Sequence, residues 1–115
     1  MGLSTHILDT AVGRPAQGVS LTLAQLLTDD HGEQWQDIGR GETDADGRCK
    51  TLLGDAPLEA ATYKINFATA EYYAAQNLTG LYPYVEIVFT ITNPKQHYHI
   101  PLLLTANGYT TYRGS

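Results

Sequence analysis

Two imidazoles alternate with apolar side chains in residues 96–104, Gln-His-Tyr-His-Ile-Pro-Leu-Leu-Leu. In a β-strand, successive side chains point to opposite faces of the sheet. One face would be a uniform core face, with Tyr98, Ile100, Leu102 and Leu104. The opposite face would carry His97, His99, Pro101 and Leu103, which resembles neither a core nor an ordinary solvent surface. We expect this second face to line a cleft or to contact a partner subunit, although two exposed histidines on an edge strand would give the same pattern.

The same two histidines have a spacing that metal ligands use. His97 and His99 would lie on one strand face, and His6 could supply a third imidazole, which would leave one position of a zinc ion open for water. Spacings this short recur by chance. The sequence by itself therefore leaves a zinc hydrolase as an open alternative, which metal analysis of the purified protein would test.

Arg48 follows a tight polar turn, Asp44-Ala45-Asp46-Gly47. The turn has some likeness to a calcium loop, but Leu53 stands where the loop would need a bidentate glutamate. We interpret the turn as a structural element that delivers Arg48 to the start of a strand.

The last printed residues, 109–115, follow directly on Asn107-Gly108. Asparagine and glycine both tolerate positive φ, which predicts a type I′ hairpin between a strand near 96–105 and a final strand near 109–113. Such a hairpin places Tyr112 and the terminus beside the histidine strand. By alternation Arg113 points away from Tyr112, so we expect it to have a structural role.

The remaining pattern is typical of an all-β domain. Alternation with period two recurs in residues 19–24, 63–68 and 85–92, and turn clusters separate these runs by roughly eight to twelve residues, as in sandwiches and barrels. Residues 70–78 are instead rich in helix formers. We predict one short helix there, capped by Thr69 and ending before Gly80.

Composition limits the classes of partner. The 115 residues, 43% of them hydrophobic, suit one globular domain over 1–115. The net charge of −5 and the scattered basic residues argue against nucleic acid and against a membrane surface, and no apolar run approaches the roughly 18 residues of a membrane span. The single cysteine, Cys49, and the lack of a visible secretory signal lead us to expect a cytoplasmic protein.

The terminal Tyr-Arg-Gly-Ser resembles the signature that ends 5-hydroxyisourate hydrolases, the enzyme branch of the transthyretin family. Further segments resemble the same family in chain order: residues 4–16, 43–48, 67–73, 82–87 and 97–104. The resemblance spans essentially the whole chain. Its departures are small, Tyr73 where phenylalanine is frequent and Thr105-Ala106-Asn107 where Ser-Pro is frequent.

The resemblance implies an all-β, transthyretin-like sandwich of two sheets, with eight strands and one short helix. It also implies a homotetramer in which paired dimers enclose a channel lined by the first, histidine and terminal strands. The implied reaction opens the ring of 5-hydroxyisourate to 2-oxo-4-hydroxy-4-carboxy-5-ureidoimidazoline in urate catabolism, a step of purine metabolism. We expect no metal and no organic cofactor.

For this reaction we assign His6, Arg48, His99 and Ser115 as catalytic, and His6, Arg48, His97 and Tyr112 as substrate-binding. Histidine titrates near neutrality, so His99, with His6 nearby, would activate the water; which of the two is the base stays open. The fixed charge of Arg48 would stabilise the oxyanion. Tyr112 would hold the ring, and Ser115 would orient an imidazole.

The main alternative from another class is a carrier of small aromatic ligands, which transthyretin itself is. A carrier needs an apolar channel. This chain would instead place His6, Arg48, His99 and Tyr112 there, which favours the enzyme.

Overall fold

The computed structural model describes residues 2–53 and 57–114, and this part of the chain forms eight strands and one helix. The elements in chain order are β1 (Gly2–Asp9), β2 (Arg14–Pro15), β3 (Ser20–Asp29), β4 (Gly32–Glu42), β5 (Ala61–Phe67), α1 (Thr69–Ala74), β6 (Val85–Ile91), β7 (His97–Thr105) and β8 (Gly108–Thr111). Two four-stranded sheets have the orders β2-β1-β7-β8 and β4-β3-β5-β6. The predicted all-β architecture of two sheets with one short helix is confirmed.

The period-two pattern of the sequence sets the core between the sheets. The predicted core face of β7 is buried, since Tyr98, Ile100, Leu102 and Leu104 are at most 5% exposed. They pack with buried side chains of the other sheet, among them Leu23, Ile65 and Phe67. Each fully buried aliphatic or phenyl side chain contributes about 1.5–3 kcal/mol to the free energy of unfolding.

Parallel pairing places β1, near the start of the chain, beside β7, which precedes the last strand. The register runs from Gly2 opposite His97 to Asp9 opposite Leu104. Paired residues share a face of the sheet, so the outward side chains of β1 and β7 form one surface.

The hairpin between β7 and β8 forms, but the predicted type I′ turn is wrong. Thr105 pairs with Gly108, so the loop is Ala106-Asn107, one residue earlier than expected. None of residues 106–108 has positive φ. The loop is held instead by a tertiary hydrogen bond, because the Leu81 N–H donates to the Ala106 carbonyl at 2.7 Å.

The helix is shorter than predicted, and Thr69 does not cap it. Thr69 is its first residue and is buried, and its hydroxyl donates to the Tyr82 carbonyl at 3.4 Å. After Ala74 the chain turns through Asn77, whose φ of 60° is left-handed. Among the described residues, no helix is long and apolar enough to cross a membrane.

Candidate active site

The outward surface of β1 and β7 gathers the histidines that the sequence singled out. Ser4 lies opposite His99, and His6 lies opposite Pro101. His6 and His99 are half-buried, whereas His97 is exposed at the end of β7. We call this surface the site face; it comprises Ser4, His6, His97, His99, Pro101, Arg48 and Tyr112.

Arg48 reaches the site face from the other edge of β1. It forms an isolated antiparallel bridge with His6, rather than the start of a strand that we expected. Beside it, the Ile7 N–H donates to the Gly47 carbonyl at 2.8 Å. Gly47 has a φ of 76°, and a Cβ there would clash with the Ile7 carbonyl oxygen. Glycine is therefore required for the turn to approach β1 so closely.

The carboxylate of Asp44 holds the turn that precedes Arg48. Its Oδ1 accepts hydrogen bonds from the N–H groups of Asp46, at 2.9 Å, and Arg48, at 3.1 Å. The Asp44 N–H donates in return to the Arg48 carbonyl at 2.8 Å. The hydrogen bond from the Arg48 backbone is the main cause that lowers the pKa of Asp44. The sequence predicted a tight polar turn at Asp44-Ala45-Asp46-Gly47, but we assigned no role to the Asp44 carboxylate, although an aspartate that starts such a turn is a recognisable signal.

The C-terminal residues extend the β7–β8 pairing to His99. Leu102 pairs with Thr111, and the same register continues to an isolated bridge between His99 and Gly114. The Gly114 N–H donates to the His99 carbonyl at 2.8 Å. Tyr112 therefore lies between these pairs, opposite Pro101, and is 54% exposed.

Arg113 points to the opposite face, as alternation predicted. Its guanidinium carbon lies 4.2 Å from the centroid of the Tyr98 ring. Its Nη2 donates to Gln96 Oε1 at 3.1 Å. These contacts are structural and lie away from the site face.

Ser4 is a site residue that the sequence analysis missed. Its Oγ lies 2.7 Å from His97 Nε2 and 2.7 Å from His99 Nδ1. Alternation on β1 places it on the same face as His6. Its contact with the histidines, however, depends on the parallel pairing of β1 with β7. His97 and His99 follow Ser4 by 93 and 95 residues along the chain.

The pKa of His99 is lowered from its ordinary 6.5. Burial is the largest cause, followed by the positive charge of Arg48 and the charged forms of His6 and His97; a hydrogen bond with the Ser4 backbone acts in the opposite direction. These causes favour the neutral form of His99, which has a lone pair available for a proton.

Two further predictions concern Ser115 and the alternative zinc site. Ser115 lies outside the described residues. In residues 2–53 and 57–114, no three side chains from His, Cys, Asp and Glu are grouped so that they could hold a metal ion. The proposed zinc set of His6, His97 and His99 is thus not gathered as a ligand cluster.

Comparison with known proteins identifies the family to which this fold belongs. The family model described as HIUase/Transthyretin matches residues 3–114. The chain belongs to this family. The 5-hydroxyisourate hydrolase of Mus musculus is 47% identical over 113 residues, which cover 98% of this chain and 94% of that protein.

Two solved structures of the HIUase/Transthyretin family have the same fold. A 5-hydroxyisourate hydrolase from Klebsiella pneumoniae has a TM-score of 0.82 at 33% identity, with 98% of each chain covered. Transthyretin from Sparus aurata has a TM-score of 0.86 at 33% identity, covering 97% of this chain and 95% of that one. Fold similarity alone therefore does not separate the hydrolase from transthyretin in this family.

Proposed function

We propose that this chain is a 5-hydroxyisourate hydrolase, which opens its substrate to 2-oxo-4-hydroxy-4-carboxy-5-ureidoimidazoline in urate catabolism. The observation that carries the proposal is the site face itself, where Arg48 and His6 are paired across one strand edge and His99 contacts Ser4 and Gly114. The high identity to the mouse hydrolase over nearly the full length of both chains supports the same activity.

The chemistry follows from these positions. His99 takes a proton from water, which attacks a ring carbonyl and forms a C–O bond. Arg48 stabilises the oxyanion with a fixed positive charge. When the adjacent C–N bond breaks, the imidazolium returns the proton to the leaving nitrogen. His6 positions the water and Tyr112 holds the ring; Ser115 is proposed to orient an imidazole.

The carrier function is less well supported. A carrier of aromatic ligands would bind in an apolar channel, whereas the proposed site would present the Arg48 guanidinium and the imidazoles of His6, His97 and His99 to the ligand. A cationic, hydrogen-bonding surface costs free energy when an apolar ligand desolvates it.

We further propose a homotetramer, in which site faces of paired dimers enclose the substrate channel. The half-buried Leu8 and Leu103 and the exposed Tyr112 flank the polar cluster on the same sheet surface and would be covered in such an assembly. Native mass spectrometry will test this: a monomeric mass at micromolar concentration contradicts it.

A single domain over 1–115 and a cytoplasmic location remain predictions, the latter testable by cell fractionation.

The activity is tested by adding purified protein to freshly generated 5-hydroxyisourate and following the ultraviolet decay. We expect decay far faster than in buffer, and unchanged after exhaustive chelation. A decay no faster than the blank contradicts the hydrolase. Loss on chelation with recovery on added zinc would instead favour a zinc hydrolase. Displacement of a fluorescent aromatic probe, without hydrolysis, would favour the carrier.

A further inference from the structure

The hydroxyl of Ser4 bridges two imidazoles that lie on the same strand. Its Oγ is 2.7 Å from both His97 Nε2 and His99 Nδ1, so both distances are those of hydrogen bonds. A serine hydroxyl has one proton to donate. It can donate to only one of the two rings, so at least one ring must donate an N–H to Oγ. The protonation states of His97 and His99 are therefore not independent.

We propose that Ser4 is a positioning residue that donates its proton to His97 Nε2 and accepts the Nδ1 proton of His99. In this arrangement both neutral rings carry their proton on Nδ1. The Nε2 of His99 is then unprotonated, as the base in the hydrolysis requires. The catalytic role of this arrangement rests on the proposed function, whereas the predicted tautomers do not depend on it.

The same three groups form a proton relay. When His99 Nε2 accepts the proton of the attacking water, His99 becomes an imidazolium. It passes its Nδ1 proton to Ser4 Oγ while the Ser4 hydroxyl proton moves to His97 Nε2. Three bonds form, His99 Nε2–H, Ser4 Oγ–H and His97 Nε2–H. Three bonds break, one O–H of the water, His99 Nδ1–H and the original Ser4 O–H, so the number of protons is unchanged. His99 is left neutral with a proton on Nε2, and His97 carries the positive charge. The relay runs back when the C–N bond breaks, so that His99 is again an imidazolium as it gives its Nε2 proton to the leaving nitrogen.

The surroundings of the two rings favour this transfer. Arg48 from the turn after Asp44, His6 from β1 and His97 from β7 all face the half-buried His99, and burial and their charges disfavour its protonated form. His97 is exposed, so water can solvate a charge there. The relay moves positive charge away from the Arg48 guanidinium, where repulsion is strongest, and toward solvent.

A test independent of activity is the tautomeric state of the two rings. Two-bond ¹H–¹⁵N correlation spectra of wild type, at a pH where both rings are neutral, should show the proton on Nδ1 in His97 and in His99. Ser4→Ala should remove this preference in His97 and weaken it in His99, whose hydrogen bond with the backbone of residue 4 remains, and Ser4→Thr should keep it in both rings. Ser20→Ala, which removes an exposed hydroxyl from β3, is the matched control and should leave both rings unchanged. Protons on Nε2 in both wild-type rings, or spectra that Ser4→Ala does not change, overturn the proposal.

Kinetics on 5-hydroxyisourate test the relay. We expect Ser4→Ala to lower kcat about 10- to 100-fold with little change in KM, and Ser4→Thr to recover most of kcat. His97→Phe should lower kcat similarly, and the double variant should be no slower than the slower single variant, because both changes break one relay. Multiplicative effects of the two changes refute the relay. An inactive wild type would refute the proposed hydrolase, while the tautomers would still decide the role of Ser4.

Discussion

Gly114 lies against the imidazole of His99. A Cβ at Gly114 would stand 2.5 Å from His99 Cδ2, closer than non-bonded carbon atoms approach, and 3.2 Å from its Cγ, which is a tight contact. The backbone of Gly114 also donates to the His99 carbonyl. The penultimate printed residue thus limits where the ring of the proposed base can lie.

Gly114→Ala should therefore displace His99 while leaving the rest of the sheet intact. We expect hydrolysis to fall about 10²-fold, the usual cost of a displacement of about 1 Å at a catalytic group. Gly108→Ala is the matched control in the same hairpin, because its Cβ would meet only Thr105 Oγ1, at 3.7 Å. Steady-state rates and thermal melts of both variants check this. Full activity of Gly114→Ala would falsify the assignment of His99.

Arg48 should contribute mainly to transition-state stabilisation. Arg48→Ala is expected to slow turnover about 10²–10³-fold, as loss of one oxyanion donor does. The Arg48 side chain is exposed, and its backbone bridge to His6 does not depend on the side chain. The melting temperature should change little. An active, folded Arg48→Ala variant contradicts the role.

The pH profile tests the environment of His99. The base must be neutral, and its pKa lies below 6.5 because of burial and then the charges of Arg48, His6 and His97. As pH falls, the midpoint of the decline in kcat/KM should therefore lie below pH 6.5. Replacing Arg48 with methionine removes one cause of the lowering, so the acid limb should move to higher pH. An acid limb at the same pH in wild type and Arg48→Met excludes His99 as the titrating base.

Asp44 should act through the position of Arg48. Asp44→Ala removes the acceptor of two backbone N–H groups, those of Asp46 and Arg48, whereas Asp44→Asn keeps an acceptor oxygen. We expect Asp44→Ala to lower kcat/KM about tenfold and Asp44→Asn much less, since each such hydrogen bond is worth about 1 kcal/mol. Measuring kcat/KM and the melting temperature of both variants tests this expectation. Equal rates for the two variants and wild type show that the turn does not need the carboxylate.

Tyr112 and Arg113 are neighbours with opposite expected effects. Tyr112→Ala removes an exposed ring from the site face, so activity should fall at least tenfold with an unchanged melting temperature. Arg113→Ala removes the cation above the buried Tyr98 ring, a contact worth about 0.5–1 kcal/mol. It should lower stability and leave the rate nearly unchanged. The reverse pattern would mean that the two faces of the last strand are misassigned.

The alternation in single segments was enough to predict much of the fold. Period-two patterns indicated the buried faces of β5 and β7, because strand geometry alternates side chains whatever their partner is. The same rule separated Tyr112 from Arg113. The resemblance of six short segments to one family then indicated the sandwich and the candidates His6, Arg48, His97, His99 and Ser115.

Local signals failed where a tertiary contact competes with them. Thr69 has the chemistry of a helix cap, but its hydroxyl donates to the Tyr82 carbonyl and its side chain is buried. Asn107-Gly108 has the chemistry of a type I′ turn, but the loop shifts by one residue and the Leu81 N–H binds the Ala106 carbonyl. Neither partner is near in sequence, so the local pattern carries no information about it.

The identity of the chemical groups was thus determined by the sequence, and their mutual arrangement by the tertiary structure. Histidine and arginine at known positions define which protons and charges are available. The contact of Ser4 with both histidines arises only when β1 pairs with β7 in one register, and that of Gly114 with His99 only when the C-terminal residues continue the β7–β8 pairing. A shift of that register by one residue would turn Ser4 to the other face of the sheet, since side chains alternate with period two.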